Sequence, residues 1–317
     1  MNIPEHDHHH QHDHGQCGHL DHSGIYLFSP SGQVLEPERL TLAQQRLRDM
    51  GFTVDADADA LAVHERFAGT DEQRLAAVQR SLAQPHPIVM ATRGGYGLSR
   101  LLDRIDWRAV ADSGKHFVGM SDFTAFNLAL LARTGAISFS GPTAIADFGC
   151  PEPDDLTTEL FAELMRGELE LFSFESEDSD AVDGRGVLWG GNLAVMCSLL
   201  GTPYFPQVDG GILFLEDVGE HPYRVERMLT QLWHAGVLNR QLAVVLGRFT
   251  EYRQGPNDNG FGMDSVVRWL RETVKVPVVT GLPYGHVEVK VTLPVGKQAG
   301  LATEDGMAYL VLDEHEH

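Results

Sequence analysis

From residue 25 onward the chain alternates short apolar runs with amphipathic stretches, and this alternation limits its fold more than any other feature. Residues 25–28 read as a strand that ends in the turn Ser29-Pro30-Ser31-Gly32. Residues 38–50 place Leu40, Leu42, Leu47 and Met50 among polar neighbours, a helical pattern. Asp71 can cap a second helix with Leu75, Val78 and Leu82 on its inner face. Residues 88–91 are the next buried strand. They run into Arg93-Gly94-Gly95-Tyr96-Gly97 and then a helix containing Leu98, Leu101 and Leu102. Residues 117–120 form another strand, followed at once by Ser121-Asp122 and an apolar helix over 123–133. Strands alternating with helices predict an α/β fold with a mainly parallel sheet covered on both faces.

The middle of the chain changes character. Residues 151–170 read as an amphipathic helix, and 174–184 are acidic with few apolar side chains, which suits an exposed connection. The expected organisation is a His-rich tail at 1–22, an N-terminal domain at 23–150, a linker at 151–184 and a C-terminal domain at 185–317. The second half repeats the alternation, with strands at 212–215, 243–246 and 276–279 and helices at 222–234 and 264–274. A Gly- and Pro-rich segment, 281–296, contains His286. No internal repeat is visible.

Composition excludes several classes. At 317 residues, with 43% hydrophobic and 22% charged side chains, the chain can bury a core without disulfides or metal. No apolar run reaches the 18 or so residues of a membrane span. Acidic residues outnumber basic ones 45 to 24, a formal net charge of −21, so neither nucleic acid nor an anionic membrane is an expected partner. Three scattered cysteines make no disulfide framework, which fits a reducing compartment. The N-terminus lacks the pattern of a secretory signal. A cytoplasmic location is expected.

Three places can carry chemistry. Ser121 lies between a strand and a helix, two residues after Gly119, where a tight turn projects a hydroxyl beside helix N-terminal amides. Phe123 stands where the general hydrolase elbow has glycine, and a Ser-Asp pair before a helix also serves as an N-cap. The Arg93–Gly97 loop frees backbone amides for a phosphate or an oxyanion, or is simply a tight turn. Glu216 ends a strand, and His286 follows Gly285 in a loop where it can reach out. A base needs an imidazole, and the imidazole needs an acceptor that fixes its tautomer. Ser121, Glu216 and His286 follow the chain order of α/β-hydrolase triads.

Together these pieces resemble the LD-carboxypeptidase family (muramoyltetrapeptide carboxypeptidases) over about residues 25–302. The resemblance rests on Ser-Pro-Ser-Gly at 29–32, Arg-Phe-Ala-Gly-Thr at 66–70, and Arg-Gly-Gly-Tyr-Gly at 93–97 followed by Arg100-Leu101-Leu102 and Asp106. It continues with Gly-Met-Ser-Asp-Phe-Thr-Ala at 119–125, Gly-Gly-Asn-Leu at 190–193 and Gly201-Thr202-Pro203. Leu-Glu-Asp-Val-Gly-Glu at 215–220 leads into Pro222-Tyr223-Arg224-Val225-Glu226-Arg227, and Gly285-His286 precedes Leu293-Pro294-Val295-Gly296. The family implies a flavodoxin- or Rossmann-like N-terminal domain, a smaller C-terminal α/β domain, an active site between them and a homodimer. It implies a serine peptidase with Ser121 as nucleophile, His286 as general base and Glu216 as its orienting residue. The amides of Gly95 and Asp122 match the oxyanion hole. Arg93, Tyr96 and Asn192 are the expected substrate contacts, Arg93 because a guanidinium grips a carboxylate with two hydrogen bonds. Many relatives carry asparagine where this chain has Lys290, a departure that bears on local substrate contacts. The implied reaction is release of terminal D-alanine from cytoplasmic murein tetrapeptides, after meso-diaminopimelate or L-lysine. No metal or other cofactor is required for it.

Two other readings compete. Relatives in the microcin C immunity branch cleave peptidyl-nucleotides with the same chemistry, and an aromatic lining suited to a base would favour that substrate. Eight of the sixteen histidines lie in residues 1–22, interleaved with Asp7, Asp13 and Cys17. That density is competent to hold zinc, nickel or copper, as in a metal-storing or metal-delivery protein.

Overall fold

A computed structural model describes residues 23–312. The His-rich tract, and with it the metal-binding reading, lies outside the described residues.

The first half builds the alternation expected of it. In chain order come β1 (Gly24–Phe28), α1 (Pro37–Asp49), β2 (Thr53–Ala56), α2 (Asp71–Ala83), β3 (Ile88–Ala91), α3 (Trp107–Asp112), β4 (His116–Gly119), α4 (Thr124–Thr134) and β5 (Ser138–Ser140). The five strands are parallel, and every residue of β1 and β3 is buried, as a strand covered on both faces must be.

Three local details differ from the sequence reading. Thr70, not Asp71, caps α2: its hydroxyl accepts from Gln73 N while the Gln73 side chain returns to the Thr70 amide. Asp71 is left to bind Arg74 and Arg100. Leu98–Arg100 is one 3-10 turn rather than a helix, and the helix proper starts at Trp107 under an Asp106 cap.

The second half continues with α5 (Asp155–Arg166), β6 (Leu171–Glu175), β7 (Asp183–Asn192), α6 (Leu193–Leu199), β8 (Ile212–Val218), α7 (Pro222–His234), β9 (Ala243–Thr250), α8 (Met263–Thr273), β10 (Val278–Val279), β11 (Leu293–Val295), β12 (Gln298–Glu304) and β13 (Met307–Val311). Its sheet runs β10-β9-β8-β7-β12-β13-β6, parallel from β10 to β7 and antiparallel beyond. The acidic segment 174–184, expected as an exposed connection, instead overlaps the end of the edge strand β6, which pairs with β13, and the start of β7. β11 crosses back and joins the first sheet, antiparallel to β5. The first sheet thus reads β11-β5-β4-β3-β1-β2, with its last strand supplied from just beyond His286. One continuous apolar core spans both sheets.

Candidate active site

The turn between β4 and α4 puts Ser121 at φ +65°, the left-handed region that a residue with a Cβ avoids. Such a conformation persists where the surroundings hold it, and it aims a side chain out of the turn. Two glycines allow it. A Cβ on Gly119 would meet the Phe123 ring at 2.4 Å, and one on Gly94 would meet Ser121 Cβ at 2.7 Å. Phe123, which breaks the general elbow motif, is buried and stacks on Phe126 at 4.7 Å. Ser121 does not act as an N-cap; its Oγ lies 3.2 Å from His286 Nε2.

The other side of His286 is held as firmly. Its Nδ1 lies 2.7 Å from Glu216 Oε2, and the Glu216 side chain is fully buried. Gly285, at φ +137°, lets the histidine loop close down, because a Cβ there would stand 3.0 Å from Arg248 O and 3.3 Å from Glu216 Cβ. Burial by itself would lower the His286 pKa. The hydrogen bond and charge of Glu216, helped by Asp217, outweigh that and hold it above its ordinary 6.5. Ser121, Glu216 and His286, named from sequence, are brought together in one relay.

Asn192, expected to contact substrate, is tied into the relay. Its register partner across β7 and β8 is Glu216. Its Nδ2 donates to Glu216 Oε1 and Asp217 Oδ1, both at 3.0 Å, and its Oδ1 accepts from Val195 N at 3.0 Å. At 5% exposure, with both donor hydrogens used, it braces the carboxylates, a role the sequence reading of Asn192 as a substrate contact did not include. Asp217 joins the site only in the folded structure. A register shift at Leu215/Asp217 turns two consecutive acids inward, and burial beside Glu216 pushes the Asp217 pKa up to about 6. β8 continues to Val218, so Glu216 and Asp217 lie inside the strand and do not end it as the sequence suggested.

Asp122 follows the serine and Gly95 follows Gly94, the glycine packed against Ser121; among the described residues no backbone hydrogen bond is made by the amide of Gly95 or of Asp122. The Asp122 side chain does something else. Its Oδ2 accepts from Ser31 Oγ at 2.7 Å and Leu98 N at 3.0 Å, tying the 29–32 turn to the glycine loop, and burial raises its pKa. Arg93 donates to Gln33 O at 2.8 Å and packs over Gly32. Tyr96 is 43% exposed, leans on Phe67, and lines a cleft of about 510 Å³ with Asp122, Ser198, Thr202 and Tyr204. On the His286 side a second cleft, of about 560 Å³, is lined by Met120, Asp147, Glu152, Asp154, Glu288 and Lys290. Lys290 is 4% exposed and its Nζ lies 2.5 Å from Asp147 Oδ1.

A hydroxyl on a strained strand-to-helix turn, an imidazole within reach and a buried carboxylate behind it define a serine hydrolase. Residues 25–141 match the LD-carboxypeptidase N-terminal domain and residues 185–301 the LD-carboxypeptidase C-terminal domain. The chain belongs to the LD-carboxypeptidase family, a family of serine peptidases.

The crystal structure of muramoyltetrapeptide carboxypeptidase from Oxalobacter formigenes is 43% identical, with a TM-score of 0.86 over 93% of this chain and 100% of that one. The murein tetrapeptide carboxypeptidase of Pseudomonas aeruginosa is 31% identical over 291 residues, 87% of this chain and 92% of the relative. The microcin C7 self immunity protein MccF shares the fold, with a TM-score of 0.83 at 23% identity over 92% of this chain and 96% of that one. Among the described residues no helix is long and apolar enough to cross a membrane.

Proposed function

We propose that this protein is a carboxypeptidase that releases terminal D-alanine from murein tetrapeptides, cutting the bond after an L-centre such as meso-diaminopimelate or L-lysine. The observation that carries the reading is the Ser121–His286–Glu216 relay, at 3.2 and 2.7 Å, on a fold whose 43%-identical structural relative bears that activity in its name. His286 Nε2 takes the proton as Ser121 Oγ attacks the carbonyl of the L-centre. Glu216 holds Nδ1–H and balances the imidazolium, and Asn192 keeps Glu216 in line. The amides of Gly95 and Asp122 receive the oxyanion, each worth roughly 3 kcal/mol in the transition state. His286 then returns the proton to the departing D-alanine amine, and water, activated the same way, releases the acyl group.

The location proposed is the cytoplasm, in turnover of recovered cell-wall peptides. The free thiols of Cys150 and Cys197 support a reducing compartment. The working form proposed is a homodimer, to be read from light scattering of the purified protein. Incubation with purified tetrapeptide should release D-alanine and leave tripeptide. A folded protein that releases none would refute the reading.

One observation favours a second substrate class. Tyr96 and Tyr204 share the 510 Å³ cleft beside Asp122, and such rings can stack on a nucleobase. Side-by-side kcat/KM values on the tetrapeptide and on a peptidyl-nucleotide decide between them.

A further inference from the structure

Lys290 and Asp147 meet across the two halves of the chain. Both side chains are 4% exposed, and Lys290 Nζ lies 2.5 Å from Asp147 Oδ1. The second carboxylate oxygen accepts from Thr143 N at 2.8 Å. Stability is a poor reason for such a pair, since burying two charges costs about what their attraction returns. What the pair supplies is a fixed distance. Lys290 lies four residues beyond His286, in a segment closed on itself by Val291 N donating to Pro283 O at 2.8 Å. Thr157 adds a second fastening: its hydroxyl accepts from Lys290 N at 3.0 Å and stands 3.0 Å from Glu288 O. Asp147 sits in a π-type turn (Ala144–Phe148) whose Ile145 amide donates to Thr92 O, just ahead of the glycine loop. The same cleft is lined by Met120, next to the serine, and by His286.

We infer that the Lys290–Asp147 pair is a latch that sets the position of the His286 imidazole over Ser121, so that both are positioning residues and neither contacts substrate. The inference rests on the relay proposed above. A free lysine in this cleft would be a natural partner for a substrate carboxylate, but this one has its charge consumed and its head buried. The histidine is carried by the second half and the serine by the first, so a tie between the halves beside them fixes their separation. Displacing a reacting group by about 1 Å can cost on the order of a hundredfold in rate.

The test is the double variant D147N/K290M, which removes the tie and leaves no buried charge behind. Circular dichroism checks its fold. A fluorophosphonate probe then reports the relay itself, through the rate of Ser121 phosphonylation followed by mass spectrometry, without reliance on any peptide substrate. The expected result is phosphonylation slowed at least tenfold. For D-alanine release, kcat should fall by a similar factor with KM changed less than about twofold. A purely structural pair would lower the melting temperature and leave these rates alone. Phosphonylation at the wild-type rate overturns the latch. If the methionine variant does not fold, D147N/K290Q carries the same measurement. Ser121→Ala separates the two levels: a variant labelled as fast as wild type refutes the relay, whereas loss of labelling with an unaffected double variant refutes only the latch.

Discussion

Asn192 Nδ2 donates a 3.0 Å hydrogen bond to Glu216 Oε1, from the residue directly opposite on the neighbouring strand. The carboxylate behind the histidine is therefore held by its own sheet. Asn192→Ala strips that brace and leaves a buried charge short of one donor, a loss of about 1.5–3 kcal/mol for a charge-assisted bond. The expected outcome is kcat for D-alanine release reduced roughly ten- to a hundredfold, with KM little changed.

The histidine sets the pH response. Burial pulls its pKa down and Glu216 pulls it up further, so the net shift is upward from 6.5. The neutral imidazole that acts as base then appears only at higher pH, and the acid limb of kcat/KM should lie above 6.5. Removing the carboxylate charge in Glu216→Gln leaves burial dominant. The limb should move to lower pH while the maximal rate drops on the order of 10³–10⁴-fold. Linkage gives a matching sign for stability. The imidazolium–Glu216 interaction contributes fully below the unfolded-state pKa and is lost as pH rises through the raised folded value. Thermal melts of wild type and Glu216→Gln should therefore differ most on the acid side.

The glycine loop is expected to tolerate no side chain at position 94. A methyl there would sit 2.7 Å from Ser121 Cβ and 3.0 Å from its Oγ. Gly94→Ala should keep the fold by circular dichroism and lose on the order of a hundredfold or more in kcat, because the hydroxyl must move.

Asp122 has two separable jobs. The proposed oxyanion donor is its backbone amide, whereas its side chain receives Ser31 Oγ and Leu98 N in a buried position. Asp122→Ala strands two donors at roughly 1–3 kcal/mol each. A lowered melting temperature is expected, together with slower turnover as the 29–32 turn and the glycine loop come apart. Differential scanning calorimetry beside a D-alanine assay measures both.

What could be read from the chain follows its physics. Buried parallel strands announce themselves as apolar runs, so β1, β3, β4, β8 and β9 were legible. β2 was not, because its alternating burial puts polar residues on an edge. β5 is a three-residue Ser-Phe-Ser strand, too short to show a period. The β12–β13 hairpin does carry a local signal. Asp305-Gly306, both at positive φ, are the two-residue turn such hairpins favour. The relay residues were legible as a set of motifs, although only Ser121 sits at an element end: Glu216 lies inside β8, which runs on to Val218, and His286 lies in the loop before β11. The bracing contacts of Asn192, Asp217 and Lys290 depend on which strands and loops become neighbours, which no local pattern encodes.

The proposed reaction stands or falls on Ser121 Oγ as the nucleophile that attacks the carbonyl and forms the acyl-enzyme as D-alanine leaves. The direct measurement is D-alanine release from purified murein tetrapeptide by Ser121→Ala, with circular dichroism to confirm the fold. A folded variant with kcat reduced by roughly a million-fold, as loss of a serine nucleophile costs elsewhere, is the predicted result. A folded variant that still releases D-alanine at a rate near wild type would contradict it.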